Sequence, residues 1–593
     1  MQIIIPAAGK GSRLGPLTKN KTKCQVEING ESLILRALKN ISVTDVKKVI
    51  IIIGFEGERL KKCIGNEYKD IEIKYIWNKD FNETNNIYSI FLAKEEIEKD
   101  DSIILESDII FDESLLKDLL KNRTKNLIVA DKFESWMDGT LVSVDKNFKV
   151  KDFFSVRDVN FEKQDDLYKT VNIYKFSKQF LKEIYFPILS IYISKGEMSE
   201  YYESPLKIIP HTRFNNLKVF NANKYKWYEI DDEQDLDLAS IKFSDRKEAY
   251  KKVSERFGGL WRFPELIDFC YLVNPYFPNE LLVKELKFNF EKFIGSYPST
   301  QKVQSLLASR LFNIDKRFIL VGNGGAELIN ELGKYFNSKF NIFSPTFKEY
   351  EQKFKNITVN SIKSENFTSE VSKLLKKKFK RSGLILVNPD NPSGSFIGKE
   401  ELEDFISQNK ENPIIIDESF MDFAEKKLRY TLIDESFLDK YKNVFVIKSI
   451  GKSYGTGGLR LGILASGNFQ ALKKINSQLS IWNINSLAEN FLQISPKYKI
   501  EFDESCEKVV KERAFLFNQL KKLKIMNPFP SQANYIFCRV QNFDAKELCE
   551  EMFEKHNIFL KHYEHKVFKN HIRISVRSRE DNLKLINALK KIK

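Results

Sequence analysis

The sequence predicts an α/β chain of more than one domain, opening on a doubly wound sheet. Three observations carry this. At 593 residues the chain is too long for a single hydrophobic core. In the N-terminal third, strand-length apolar runs alternate with charged, helix-compatible stretches, the pattern of a parallel sheet flanked by helices. In both halves a glycine loop follows an apolar strand, at Ala7–Leu14 and at Val321–Ala326, the geometry that points backbone N–H groups at an anion.

Composition narrows the function classes. The net charge is +15, yet the lysines are scattered along helical stretches and no basic block is interleaved with aromatics. The surplus therefore reads as a solvated surface that favours phosphate-rich substrates, and no nucleic acid is expected as a partner. Six cysteines stand far apart without CxxC pairing and no signal peptide opens the chain, which predicts a reducing cytoplasm. The longest apolar runs, such as Val49–Ile53, have strand length, so no membrane span is expected. His562 and His565 form an HxxH pair with no carboxylate or cysteine to complete a metal site, and are read as surface histidines.

In chain order, Gln2–Ile5 is the first strand, and Ala7-Ala8-Gly9-Lys10-Gly11-Ser12-Arg13-Leu14 is a glycine loop opening a helix. Further strands are expected at Val49–Ile53, Ile71–Trp77, Ser102–Ile110 and Asn126–Asp131. Two acids, Asp108 and Asp231, lie at strand ends, where a lone acid is ordinarily a turn or a helix cap. The loop string resembles the signature of the sugar-phosphate and choline-phosphate nucleotidyltransferases. That resemblance implies a nucleotidyltransferase domain over residues 1–240, with Ala8, Gly9, Gly11 and Ser12 wrapping a nucleoside triphosphate and Arg13 on the transferring phosphates. Lys23 matches the second basic residue, although Thr22 stands where most members have proline. Asp108 and Asp231 match the carboxylates that hold Mg²⁺ against the α-phosphate. Asn85-Asn86-Ile87-Tyr88-Ser89 resembles the choline-phosphate and aminoalkylphosphonate cytidylyltransferase branch. It implies CTP, or another nucleoside triphosphate, as donor, and Asn85, Asn86 and Ser89 as contacts to base or acceptor. Without the resemblance these three are a turn and a helix cap. Glu203 is a candidate to receive a cationic head group.

Residues 241–265 are the expected linker, a charged run ending in Phe257-Gly258-Gly259-Leu260-Trp261-Arg262-Phe263-Pro264. From 266 to 593 a second series of strings follows. They are Leu272-Val273-Asn274-Pro275, Tyr297-Pro298, Gly322-Asn323-Gly324-Gly325-Ala326, Ser344-Pro345-Thr346-Phe347, Asn388-Pro389-Asp390-Asn391-Pro392, Ile416-Asp417-Glu418, Ser449-Ile450-Gly451-Lys452 and Gly458-Leu459-Arg460-Leu461-Gly462. Their order resembles the class I/II aminotransferases, near the histidinol-phosphate aminotransferases and threonine-phosphate decarboxylases. The resemblance implies the fold type I of pyridoxal-phosphate (PLP) enzymes, a large α/β domain with a small α+β domain. It implies PLP on Lys452, which also moves the Cα proton. Gly325, Ala326, Ser449 and Arg460 become cofactor-binding residues, chiefly at its phosphate. Phe347 stacks on the ring, Asn391 meets its phenolic oxygen and Asp417 its ring nitrogen. Tyr297 reaches the phosphate across a homodimer, and Arg573 takes the substrate α-carboxylate. Asn534 and Arg577 are weaker pocket candidates. Phe420, where the aminotransferases usually have tyrosine, and Ile481-Trp482-Asn483-Ile484-Asn485 lean toward the decarboxylases.

The expected protein is a bifunctional enzyme. Mg²⁺-dependent nucleotidyl transfer to an aminoalkyl phosphate or phosphonate is coupled to PLP-dependent decarboxylation of a phosphoamino acid. The alternatives are a transaminase making the same amine from an aldehyde or keto compound, and a binding scaffold with decayed sites. The last is disfavoured by the presence of Lys452, Asp417, Lys23, Asp108 and Asp231.

Overall fold

The computed structural model describes residues 1–159, 166–376, 381–564 and 568–592; His565 lies outside them. The chain divides into two compact units, Met1–Glu255 and Arg256–Lys593.

The first unit is built on a ten-stranded sheet. Its centre is the strand Gln2–Ala7, paired in parallel with Lys48–Ile53 on one side and Ser102–Leu105 on the other. Alternate side chains feed two cores. Ile3, Ile5, Val49, Ile51 and Ile103 face one layer, and Ile4, Ile50, Ile52 and Ile104 face the other. A strand covered on both faces must be apolar throughout, which explains the unbroken isoleucine runs. Beyond Ser102–Leu105 the sheet continues with Leu167–Phe176, antiparallel, and then Leu127–Lys132.

Two sequence expectations change here. The run Ser102–Ile110 is two strands, because Glu106, Ser107 and Asp108 leave the main sheet and Ile109–Phe111 pairs instead with Trp227–Glu229. The glycine loop opens an irregular 3₁₀ stretch, Ser12–Thr18, kinked at Gly15 with Pro16 inside it, and not an α-helix. Proline has no N–H to donate, so Pro16 cannot continue a regular α-helical ladder here. At the junction, Arg246–Glu255 is a helix in the first unit with Ala249, Tyr250 and Val253 buried.

The second unit has a seven-stranded sheet in the order Ile319–Asn323, Leu461–Ala465, Val444–Ser449, Ile414–Asp417, Gly383–Val387, Phe340–Ser344, Ile357–Ser361. Only Leu461–Ala465 runs against the rest. A separate four-stranded antiparallel sheet joins Met526–Pro528, Tyr535–Val540, His571–Ser575 and Lys561–Tyr563. Asp417 and Ser449 end neighbouring parallel strands, which sets them at the carboxyl edge where α/β sheets place ligands.

Candidate active sites

In the first unit the short antiparallel pair brings the two acids together. Glu229 lies opposite Ile109, and the Ile230 N–H donates to the Asp108 carbonyl at 3.0 Å. Asp108 thereby stands beside Asp231, and oxygens of Asp108, Glu229 and Asp231 lie within 4.8 Å of one another. Lys23 Nζ sits between two of them, 2.5 Å from Asp108 Oδ2 and 2.7 Å from Asp231 Oδ1. Burial alone would lower the Lys23 pKa, but the two carboxylates outweigh it and push the ammonium above its ordinary value. Arg13 Nη2 also donates to Asp231 Oδ1, at 2.8 Å. Thr22 is fully buried and its N–H donates to Gln25 Oε1, so it starts the turn that carries Lys23 without the proline. Gly11 has φ 63°, and a Cβ there would stand 2.9 Å from Lys23 Cβ, so the lysine stem lies directly against the glycine loop. Ala8 is buried with its carbonyl accepting from the Phe55 N–H, whereas Gly9 and Ser12 are exposed.

A second acidic group adjoins this one. Glu203 is buried, accepting from Thr140 Oγ1 at 2.9 Å and from the Tyr174 phenol. Glu229 accepts from Lys169 Nζ at 3.0 Å and Asn172 Nδ2 at 2.9 Å, and burial still pushes its pKa up to about 6. Burial, with Asp108, Glu203 and Glu229 close by, pushes Glu106 well above the carboxylate range. Sequence reasoning missed Glu106 and Glu229. The signal was their place two residues before Asp108 and Asp231. Asn85 caps the helix Asn86–Leu92, Asn86 Oδ1 accepts from the Tyr202 N–H, and Ser89 is buried against Asn78. Asn85, bonded to the Met198 and Ser199 carbonyls, and Asn86 thus hold the segment that precedes Glu203, whereas Ser89 braces Asn78.

In the second unit Lys452 follows the strand Val444–Ser449, its ammonium 4.1 Å from the centre of the Phe420 ring and 5.3 Å from that of Phe347. Burial lowers its pKa to about 8; Asp417 opposes the shift, while Arg573 and Arg460 add to it. Asp417 Oδ2 accepts from Tyr350 Oη at 2.9 Å and Oδ1 from the Ser419 N–H at 2.9 Å. Arg573 is buried, donating through Nη1 to Asn391 Oδ1 at 2.5 Å and through Nη2 to the Cys270 carbonyl at 2.7 Å. Tyr350 also escaped the sequence reading, although its position three residues after Phe347 is visible in the string. Arg577 is committed elsewhere, to Asp581 Oδ2 at 2.9 Å and the Asp268 carbonyl at 3.0 Å. Asn534 is fully buried, and neither amide atom has a hydrogen-bond partner among the described residues. Tyr297 is 79% exposed and stacks on Trp482 with ring centres 4.3 Å apart.

The family model for aminotransferase class I and II matches residues 278–589. The chain belongs to this family. The nucleotidyl transferase family model matches residues 2–136. Along its whole length the chain is similar to the CMP-5'-(3-aminopropyl)phosphonate synthase of Streptomyces rubellomurinus, at 27% identity over 100% of this chain and 95% of the relative. The C-terminal half is similar to an L-serine phosphate decarboxylase of Campylobacter jejuni, at 28% identity over 55% of this chain and 90% of the relative. It is also similar to a histidinol-phosphate aminotransferase of Clostridium novyi, at 31% identity over 52% of this chain and 84% of the relative. Among solved structures, a decarboxylase from Sulfurospirillum multivorans matches with a TM-score of 0.51 and 25% identity, over 56% of this chain and 90% of that one. Both halves of the fold class read from the sequence are borne out, and the protein is an enzyme with a nucleotidyltransferase domain and a PLP-dependent class I/II aminotransferase-family domain. Among the described residues no helix is long and apolar enough to cross a membrane.

The residues present fit the family's cofactor. A Cβ on Gly324 would stand 2.7 Å from Arg460 Nη2, and one on Gly462 would stand 2.5 Å from the Gly324 carbonyl carbon. Only glycines allow this approach. It sets Arg460 against the first turn of the helix Gly324–Tyr335, where Gly325 and Ala326 offer N–H groups and Ser449 lies alongside. The first site fits a hard divalent cation, since Asp108 Oδ1 is buried with no hydrogen-bond partner among the described residues and lies beside two further carboxylates.

Proposed function

We propose that the N-terminal site transfers a cytidylyl group from CTP to the phosphate or phosphonate oxygen of a small amine, and that the C-terminal site makes that amine by decarboxylating the corresponding amino acid. The observation that carries this is the surplus of buried carboxylate beside Asp108 and Asp231. Among the described residues Glu106, Glu203 and Glu229 gather around Lys169, three acids to that one cation, an arrangement suited to an acceptor whose far end is an ammonium. The full-length likeness to a synthase of a CMP-linked aminoalkylphosphonate supports the same pairing of activities.

In the first site Asp108 and Asp231, with Glu229 beside them, would hold Mg²⁺, which supplies charge neutralisation at the transferring phosphate. Ala8, Gly9, Gly11 and Ser12 enclose the triphosphate, and Lys23 and Arg13 stabilise the charge that spreads as the acceptor oxygen attacks in line and pyrophosphate departs. No general base is needed, because a phosphate or phosphonate dianion is already the nucleophile. Asn85 and Asn86 shape the acceptor side through the segment they hold, and Ser89 through Asn78.

In the second site PLP bound at Lys452 supplies an electron sink for the bond broken at Cα. Asp417, fixed by Tyr350 and the Ser419 N–H, would keep the ring nitrogen protonated. Phe347 would cover the ring and Asn391 would meet the phenolic oxygen. Arg573 orients the amino acid through its carboxylate. Lys452, whose pKa burial lowers to about 8, would serve as the amine that carries a proton at Cα. Phe420 stands over the same ammonium with no hydroxyl to offer. The second unit acts as a homodimer. Phe288, Ile294, Tyr297 and Ile481 are 88%, 69%, 79% and 64% exposed, an apolar face that a second copy covers while its Tyr297 reaches the cofactor phosphate.

The likeness to histidinol-phosphate aminotransferases favours a second reading, in which the amine is installed by transamination of an aldehyde or keto compound. Two assays separate the readings. Pyrophosphate release from CTP upon adding 2-aminoethyl- or 3-aminopropylphosphonate tests the first site. Labelled CO₂ from carboxyl-labelled phosphoserine, or from the amino acid that decarboxylates to 3-aminopropylphosphonate, tests the second. Turnover that requires glutamate and releases no CO₂ selects transamination.

A further inference from the structure

Resting on the reading of Asp108 and Asp231 as metal carboxylates, we propose that Lys23 and the divalent cation compete for one seat. Metal binding expels the Lys23 ammonium from the carboxylates and thereby frees it for the triphosphate.

The geometry leads there directly. Both cations assigned to the phosphates are held by the acids assigned to the metal. Lys23 Nζ bridges Asp108 Oδ2 at 2.5 Å and Asp231 Oδ1 at 2.7 Å, and Arg13 Nη2 shares that same Asp231 oxygen at 2.8 Å. A divalent metal on Asp231 Oδ1 would be a third cation at an oxygen that Lys23 and Arg13 already share, and the added repulsion favours departure of the ammonium 2.7 Å from that oxygen. The unpartnered Asp108 Oδ1, buried next to this bridge, is the foothold from which a cation enters. The freed ammonium has only a short way to move. The Lys23 stem already lies against Gly11, so rotation of its outer bonds swings Nζ from the carboxylates toward the glycine loop.

The consequence is a coupling. A divalent cation alone binds weakly because it must displace an ammonium that two carboxylates stabilise. Nucleotide alone binds weakly because its partner Lys23 is occupied. Each ligand removes the other's obstacle, so the two bind with positive cooperativity, and the enzyme does not hold metal tightly until nucleotide is present.

The test uses Mn²⁺ as the probe on the full-length holoenzyme without nucleotide, read by the electron paramagnetic resonance of free Mn²⁺. Lys23→Met is expected to bind Mn²⁺ about fivefold more tightly than wild type, or better. Equal or weaker binding by Lys23→Met overturns the proposal. Asp108→Asn identifies the site. If it binds Mn²⁺ as wild type does, the metal pair itself is misassigned, a failure distinct from that of the competition. Because Lys23→Met removes the ammonium from Asp108 and leaves Asp231 with Arg13 alone, the variant could misfold, so a second measurement uses the wild-type protein. Acylation of Lys23, followed by mass spectrometry, is expected to rise about threefold or more when Mg²⁺ alone is added, and to fall again with CTP. Labelling unchanged by Mg²⁺ contradicts the exchange.

Discussion

The two sites each place a lysine in a desolvated position and obtain opposite chemistry from it. Lys23 lies between Asp108 and Asp231, which together outweigh burial and keep it charged. Lys452 stands against the rings of Phe347 and Phe420, with its nearest acid, Asp417, already bonded to Tyr350 and Ser419, and burial lowers it to about 8. The desolvation penalty acts on both; among the described residues no carboxylate is paired with Lys452 as two are with Lys23. Lys23 is thus built as a permanent charge and Lys452 as an amine that gains and loses a proton near neutrality.

Substitution sharpens the contrast most strongly. Lys452→Ala should lower turnover of the amino acid by about 10³-fold or more, with Lys452→Arg no better, because a nucleophilic amine is required. Cytidylyl transfer to added amine should be unchanged in both. Lys23→Ala should lower cytidylyl transfer by about 10²–10³-fold, but Lys23→Arg should recover part of it, because there the charge is what counts. Equal responses to the two arginine variants would break the comparison.

Next in size is the acceptor. Glu203→Gln removes a charge from the group that meets the ammonium and should raise the KM for 3-aminopropylphosphonate by about tenfold, a loss near 1.4 kcal/mol, with the KM for CTP unaffected. An uncharged acceptor such as propylphosphonate should not distinguish the variant from wild type.

The smallest effect is in pH. The folded pKa of Lys452 lies below its unfolded value of 10.5, so between about 8 and that value the unfolded chain binds the extra proton. Apoenzyme stability should therefore gain from this residue as pH rises through that window. Uptake of PLP, which needs the neutral amine, should quicken up to about pH 8 and then level off. Cytidylyl transfer should show no inflection there.

Much of this was legible in the sequence, and the exceptions are instructive. Strands covered on both faces announce themselves as isoleucine runs, and the residues around Lys452 lie in strings whose order alone identifies them. What a string does not show is which neighbours a short, irregular pairing will add. The break after Leu105 is hidden because Ile109, Ile110 and Phe111 are as apolar as the strand before them. Yet that break carries Glu106 and Asp108 out of the sheet toward Glu229 and Asp231. The 3₁₀ stretch replaced the expected helix because Gly15-Pro16 interrupts the ladder, a signal present in the sequence but outweighed by the loop pattern. Tyr350 was concealed by chemistry, since a buried tyrosine reads as core until its hydroxyl is seen on Asp417.

The most direct test of the two-site account is phosphorus NMR of the full-length enzyme with PLP, Mg²⁺ and CTP, offered L-phosphoserine or the amino acid precursor of 3-aminopropylphosphonate. The account predicts pyrophosphate together with a cytidine nucleotide linked to the decarboxylated amine, formed in equal amounts from one of the two. If neither these amino acids nor their amines yield pyrophosphate from CTP, the N-terminal site does not do the chemistry assigned to it.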